Sequence, residues 1–90
     1  HRRRVGRPDV VEIGYWVHVD HVRRGIATEA AAALTAAAFA LPDVSTVEIL
    51  HDPANLASSG VPRRLGFTDV GDEFVREQTF RVWRRVREPA

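Results

Sequence analysis

The segment at residues 22–29, VRRGIATE, has the residue types best suited to holding an anion. Two arginines and several small residues stand where the chain pattern predicts the start of a helix. A helix N-terminus presents main-chain N–H groups without intrahelical acceptors, and small side chains let a phosphate approach them. The segment therefore indicates a phosphate site, with an ordinary glycine-containing helix start as the alternative. The chain has neither GxxxxGK[ST] nor GxGxxG, so its sequence does not support a nucleoside triphosphatase or a dinucleotide-binding protein.

Composition excludes several other chemistries. The 90 residues are enough for one small domain, and 44% of them are hydrophobic, which is typical of a chain that folds. All 13 basic residues are arginine, and cysteine is absent, so the sequence can build no disulfide, thiolate metal site or cysteine nucleophile. The net charge of +1 by itself indicates no partner.

We expect no membrane partner and a cytoplasmic protein. The longest apolar stretch, residues 30–41, is mostly alanine and far shorter than the roughly 20 residues that a membrane span needs. Residues 1–4 resemble the basic start of a signal peptide, but Pro8, Asp9 and Glu12 interrupt the apolar core that should follow. Because the chain begins with His rather than Met, we also expect sequence upstream.

Hydrophobic patterning predicts the elements that would position the phosphate segment. Residues 10–19 form a strand that is apolar on nearly both faces, as in the interior of a sheet. A helix follows at residues 25–40, and its buried face is predicted to comprise Ile26, Ala27, Ala30, Leu34, Ala37, Ala38 and Leu41. A strand at 45–51, a helix at 55–65 and strands at 67–70 and 77–86 complete the chain. We therefore predict an α/β (α+β) fold with a strand-helix-strand-helix-strand-strand mixed sheet and a parallel first pair.

The second predicted helix contains two helix breakers. Pro62 would remove a hydrogen bond and clash with the carbonyl of Ser58, at a cost of about 3 kcal/mol in a straight helix. Gly60 adds roughly 1 kcal/mol. We therefore expect either a kink in this helix or a chain that has lost activity.

Two separated segments carry a family resemblance. The run EIGYWVHVDHVRRGIATEA at 12–30 and the run DPANLASSGVPRRLGF at 52–67 flank an alanine-rich helix and a strand. Together they resemble the GNAT superfamily of acetyl-CoA-dependent N-acetyltransferases, and within it the ribosomal-protein N-terminal acetyltransferases. Gly25 and Ala27 match the last two fixed positions of the family loop Q/R-x-x-G-x-G/A, whereas Val22 stands where Gln or Arg is usual.

The resemblance implies transfer of an acetyl group from acetyl-CoA, as co-substrate and without a metal, to a primary amine in a ternary complex. It implies cofactor contacts from the phosphate segment, from the strand before it and from the N-x-x-S motif. These residues are Val17, Val19, Arg23, Arg24, Gly25, Ile26, Ala27, Thr28, Asn55 and Ser58. Solvated arginines, and helix capping by Asn55 and Ser58, are the alternatives.

Two residues are candidates for proton transfer. Glu12 matches a position where relatives carry a glutamate, so it is the candidate base, directly or through water; a glutamate at the solvated end of a strand is the alternative. Ser58 is the candidate proton donor to the departing thiolate. Many relatives have a tyrosine four residues later, where this chain has Pro62.

The resemblance begins at the fourth strand of the family fold. Residues 1–90 are thus expected to be the C-terminal half of a domain whose N-terminal strands and helices are missing. Strand 10–19 would then be an uncovered apolar edge that needs the missing half or a partner chain. We expect the isolated chain to be inactive.

Two other functions remain as alternatives. His18, His21, His51 and Asp52 offer a zinc-ligand set, although turn histidines are more often solvated or hydrogen-bonded. The second alternative is a non-catalytic module for nucleic acid or protein, since arginines cluster at both ends of the chain with Trp83 among them. These arginines are Arg2, Arg3, Arg4 and Arg7, and Arg81, Arg84, Arg85 and Arg87.

Overall fold

The structure is a computed structural model that describes residues 2–4, 7–14, 24–54 and 59–87. Within these ranges the elements are β1 (Arg2–Arg4), β2 (Arg7–Gly14), α1 (Arg24–Phe39), β3 (Thr46–His51), α2 (Gly60–Arg64), β4 (Thr68–Val75) and β5 (Gln78–Val86). No helix in the described ranges is long and apolar enough to cross a membrane.

The strands form one mixed sheet in the order β1-β2-β3-β5-β4. β2 and β3 are parallel, with Val10 opposite Thr46 and Gly14 opposite Leu50, and the other neighbours are antiparallel. The parallel pair requires a crossover, which α1 supplies. The predicted α+β fold and the parallel first pair are confirmed.

The arginines at the start of the chain, Arg2–Arg4, form a strand that the hydrophobic pattern did not predict. β1 pairs antiparallel with β2, with Arg2 opposite Glu12 and Arg3 opposite Val11. The expectation that strand 10–19 is an uncovered edge is therefore wrong over its described part. The strand also begins earlier than predicted, at Arg7. Arginines suit an outermost strand because charged residues there discourage pairing with other chains.

α1 lies within one residue of its predicted bounds and packs on one face of the sheet. Its buried residues Ala31, Thr35 and Ala38, with Leu34 partly buried, contact a core that includes Val11, Ile13, Val47, Ile49 and Trp83. The Thr35 hydroxyl donates to the carbonyl of Ala31 at 2.7 Å, so its burial leaves no unpaired donor. The predicted face was wrong at Ala37 and Leu41, which are exposed. Alanine on every side of a helix gives a weak periodic signal.

α2 begins at Gly60, with Ser59 as its N-cap, and residues 55–58 lie outside the described part of the chain. Pro62 therefore falls in the first turn, where main-chain N–H groups have no intrahelical acceptor. Within Gly60–Arg64 the proline therefore costs no intrahelical hydrogen bond, and the rest of the predicted helix lies outside the described residues. The helix ends in the predicted glycine: Gly66 has φ +80°, its N–H donates to Arg63, and the Phe67 N–H donates to Pro62. This pattern is the Schellman motif.

β4 and β5 form a longer hairpin than predicted. β4 extends to Val75 rather than ending at residue 70, and the two-residue turn consists of Arg76 and Glu77. Residues 71–75 include Gly71, Asp72 and Glu73, which have low strand propensity. Pairing with β5 overrides that local preference.

Candidate active site

Glu12 lies in the middle of β2 and is 2% exposed. Its Oε1 accepts a hydrogen bond from Nη1 of Arg76 at 3.0 Å. Its Oε2 is buried and has no hydrogen-bond partner among the described residues. A buried carboxylate oxygen without a donor is costly, so it marks a place where a substrate or water proton could be accepted. The alternative of a solvated strand end is wrong.

Strand alternation explains why this carboxylate is isolated from α1. Val11 and Ile13 belong to the core beneath α1, so Glu12 points to the other face of the sheet. Its register partner on β3 is Glu48, which is also buried and lies on that same face. Nε of Arg84 donates to Glu48 Oε2 at 2.8 Å. Two adjacent acidic side chains are thus held apart from the apolar core, each with an arginine.

The phosphate segment coincides with the first turn of α1. Arg24, Gly25, Ile26 and Ala27 are its first four residues, and no acidic side chain lies in that turn. Main-chain N–H groups at such a terminus have no intrahelical acceptors, which suits a diphosphate. Thr28 follows one turn in and is half-buried. The predicted contacts Val17, Val19, Arg23, Asn55 and Ser58 lie outside the described residues.

The buried side chain of His51 forms hydrogen bonds within the protein. It is 2% exposed, its Nε2 accepts the indole N–H of Trp83 at 3.0 Å, and its Nδ1 lies 2.8 Å from the carbonyl of Asp52. This assigns the proton to Nδ1, which donates to that carbonyl. Both ring nitrogens therefore have partners, so His51 does not fit the zinc alternative. His18 and His21 lie outside the described residues, and no group of three potential metal ligands occurs among those described.

The arginines of β5 are paired within the protein. Arg81 forms a two-bond fork with Asp69, and its Nε lies 2.8 Å from Oδ1. The Arg81 hydrogen bond holds the pKa of Asp69 below its usual value of 3.8. Arg85 donates to the Leu65 carbonyl, and Arg87 donates to carbonyls at the end of α1 and beyond it.

Trp83, which the nucleic-acid alternative needs for stacking, is 4% exposed and packs in the core. The nucleic-acid alternative requires Trp83 to be exposed among the arginines, and this requirement is not met. A base cannot stack on a side chain buried in this way. The described arginine face of β5 thus gives the nucleic-acid alternative no support.

Sequence reasoning missed Arg76 and Glu48. Glu48 had a usable signal, since it is a charged residue inside the otherwise apolar strand TVEILH. Arg76 had none, because it lies 64 residues from Glu12 and its neighbours resemble an ordinary polar turn.

The chain belongs to the GNAT acetyltransferase family, since the family model described as "Acetyltransferase (GNAT) domain" matches residues 1–68. Among solved structures, it is similar to an aminoglycoside acetyltransferase, AAC(6')-Ib, in complex with coenzyme A, with a TM-score of 0.67 and 21% identity. That similarity covers 74% of this chain and 39% of the other, so the chain spans about two fifths of that protein's length. It shows a shared fold. No curated protein matches the sequence significantly.

Proposed function

We propose that the full-length protein transfers the acetyl group of acetyl-CoA to a primary amine by direct attack in a ternary complex. The observation that carries this proposal is the buried carboxylate of Glu12, which has one oxygen bound by Arg76 and the other without a partner in the described part of the chain. Membership of the GNAT acetyltransferase family supplies the reaction class.

Glu12 is the proposed base. The amine nitrogen attacks the thioester carbonyl carbon, the C–N bond forms, the C–S bond breaks, and the proton of the amine passes to Oε2, directly or through water. Deprotonating an α-amine of pKa ~7.7–8.0 costs about 1 kcal/mol at pH 7, against about 4.6 kcal/mol for a lysine of pKa ~10.4. We therefore propose a protein N-terminal α-amine or a small-molecule amine as acceptor, with ribosomal-protein N-termini as the first choice by resemblance.

The proposed acetyl-CoA contacts come from the start of α1 and, by family resemblance, from the strand before it and the N-x-x-S motif. Main-chain N–H groups of Arg23, Arg24, Gly25, Ile26, Ala27 and Thr28 bind the diphosphate, and Val17 and Val19 line the pantetheine arm. Asn55 contacts the amides of that arm. Ser58 donates its hydroxyl proton to the leaving thiolate and regains a proton from solvent. This chemistry needs no metal.

Binding is tested by titrating coenzyme A into the full-length protein and measuring heat by calorimetry. We expect Ala27→Phe to weaken binding at least 10-fold, because a large side chain at the helix start blocks close approach of the diphosphate. Ala36→Phe is the matched control, since Ala36 is an exposed alanine of the same helix. Equal binding by the two variants contradicts the assigned diphosphate site.

Transfer is tested by following release of free thiol with a panel of amines that includes peptides with free or blocked N-termini. We expect Glu12→Gln to lower kcat by about 10²- to 10⁴-fold, the usual contribution of a general base. Glu77→Gln, the same change at an exposed position of the β4–β5 turn, is the control and should retain full activity. Undiminished transfer by Glu12→Gln removes Glu12 from the mechanism.

A further inference from the structure

The turn between β4 and β5 holds an arginine in a position that the backbone alone disfavours. Arg76 and Glu77 have φ values of 51° and 65°, in the left-handed region where side-chain-bearing residues are uncommon. A two-residue hairpin turn normally uses Asn-Gly or Gly-Gly at these positions. A left-handed backbone is unfavourable for an arginine, so its presence needs a reason beyond the turn.

The contact made by Arg76 supplies that reason. Its Nη1 donates to Glu12 Oε1 at 3.0 Å, which joins the tip of the outer hairpin to the middle of β2. The Glu12 side chain is 3% exposed and that of Arg76 is 39% exposed, so a partly exposed cation reaches an enclosed anion. Because the bond occupies Oε1, it fixes the carboxylate and leaves Oε2 available.

Glu12 lies beside other charged residues of the sheet. On β3, the register partner Glu48 is a second buried carboxylate. On β5, Arg84 binds Glu48, and it lies 3.9 Å from Glu73 of β4. On β1, Arg2 is the register partner of Glu12. Because Arg84 donates to Glu48, Arg76 is the described arginine that donates to Glu12 itself.

We propose that Arg76 is a positioning residue for acetyl transfer: it holds Oε1 of Glu12 and so aims Oε2 at the acceptor amine. This inference rests on the proposed role of Glu12 as base. The proposal gives the β4–β5 hairpin a function. This hairpin lies at the edge of the sheet opposite β1, and the arginine of its turn reaches Glu12 of β2.

The test compares Arg76→Gln with Glu77→Gln in the full-length protein. Both substitutions place Gln at a left-handed position of the same turn and alter one charge, so backbone effects are matched. For Arg76→Gln we expect kcat to fall by about 10- to 100-fold, since misplacing a catalytic group by an ångström can cost about 100-fold. We expect KM for acetyl-CoA to stay within about twofold, so that the loss falls on kcat. Glu77→Gln should behave as wild type.

Two further variants separate positioning from structural support. Arg76→Lys keeps the charge, so it should restore part of the lost kcat, and it serves if Arg76→Gln folds poorly. The double variant Glu12→Gln/Arg76→Gln should be no slower than Glu12→Gln alone, because the two residues act through one carboxylate. Wild-type kcat for Arg76→Gln, or fully additive losses in the double variant, overturns the proposal. Full activity of Glu12→Gln removes Glu12 as the base and this inference with it, whereas no transfer to any amine by the unaltered protein overturns the proposed function itself.

Discussion

Glu12 on β2 and Glu48 on β3 are register partners in the parallel pair, and each of these buried carboxylates binds a different arginine of the β4–β5 hairpin. The residue pairing places two like charges side by side on one face of the sheet. Burying a carboxylate is unfavourable unless a counter-ion and hydrogen bonds compensate. The hairpin therefore stabilises the sheet centre as well as closing its edge.

Arg84→Met should destabilise the protein by about 3 kcal/mol, because it leaves Glu48 buried without this counter-ion. Urea denaturation followed by circular dichroism measures the free energy of unfolding. The double variant Glu48→Leu/Arg84→Met should recover most of the loss, since it removes the buried charge along with its partner. A change below about 0.5 kcal/mol for Arg84→Met contradicts this account of the pair.

Trp83→Phe should cost about 1–3 kcal/mol, because the indole N–H is lost and Nε2 of buried His51 is left without its donor. Denaturant midpoints for Trp83→Phe, His51→Leu and the double variant form a cycle that isolates the pair. The losses should be less than additive. Strict additivity means that the hydrogen bond between these side chains contributes nothing measurable.

Ala38→Leu and Ala37→Leu test which face of α1 packs on the sheet. Ala38 is 5% exposed and Ala37 is exposed, so the first change overpacks the core and the second adds a side chain to the surface. We expect a loss of about 1–3 kcal/mol for Ala38→Leu and a change within about 0.5 kcal/mol for Ala37→Leu. Thermal unfolding of the two variants makes the comparison. A comparable loss for Ala37→Leu would restore the face predicted from periodicity, which contains both alanines.

Gly66→Ala and Gly60→Ala compare two glycine sites that have equal space for a Cβ but different backbone conformations. A Cβ at either position meets no atom within 4 Å, but Gly66 has φ +80° at the end of α2, whereas Gly60 starts the helix. We expect Gly66→Ala to lose about 1–2 kcal/mol. Gly60→Ala should be neutral or gain up to about 1 kcal/mol because it restricts the unfolded chain. Similar losses at both sites would argue against the Schellman ending.

Acid should lower the free energy of unfolding in part because it protonates Asp69. Its folded pKa is depressed by the Arg81 hydrogen bond, so its contribution to stability is present above the unfolded value near 3.8 and is lost as the pH falls through the lower folded value. We expect Asp69→Asn to flatten the dependence of unfolding free energy on pH below 3.8. The slope will not vanish, because the Ser45 hydroxyl and Arg7 also lower the pKa of Asp9.

The control for this measurement is Asp72→Asn, which removes a carboxylate of the same strand but keeps the fork between Asp69 and Arg81. Equilibrium denaturation at a series of acidic pH values gives the slopes. An unchanged slope for Asp69→Asn would show that this fork is too well solvated to affect acid stability.

Local sequence determined much of this fold. The apolar strand, the helix after VRRG and the glycine that ends α2 follow from periodicity and backbone preference, which act over a few residues. The position of Glu12 within an apolar strand was also visible, and so was the start of α1, where the diphosphate site is proposed. These features depend on neighbours in the chain, so the chain itself indicates them.

Tertiary structure alone decided which polar groups meet. The Arg76–Glu12 bond spans 64 residues, and the Trp83–His51 bond spans 32. β1 becomes an edge strand, and α1 buries Ala31 and Ala38 rather than Ala37, because sheet order and helix rotation are set by packing the whole core. Such contacts depend on strand order and hairpin length, and the residues beside Arg76 in sequence have no physical means of indicating a carboxylate two strands away.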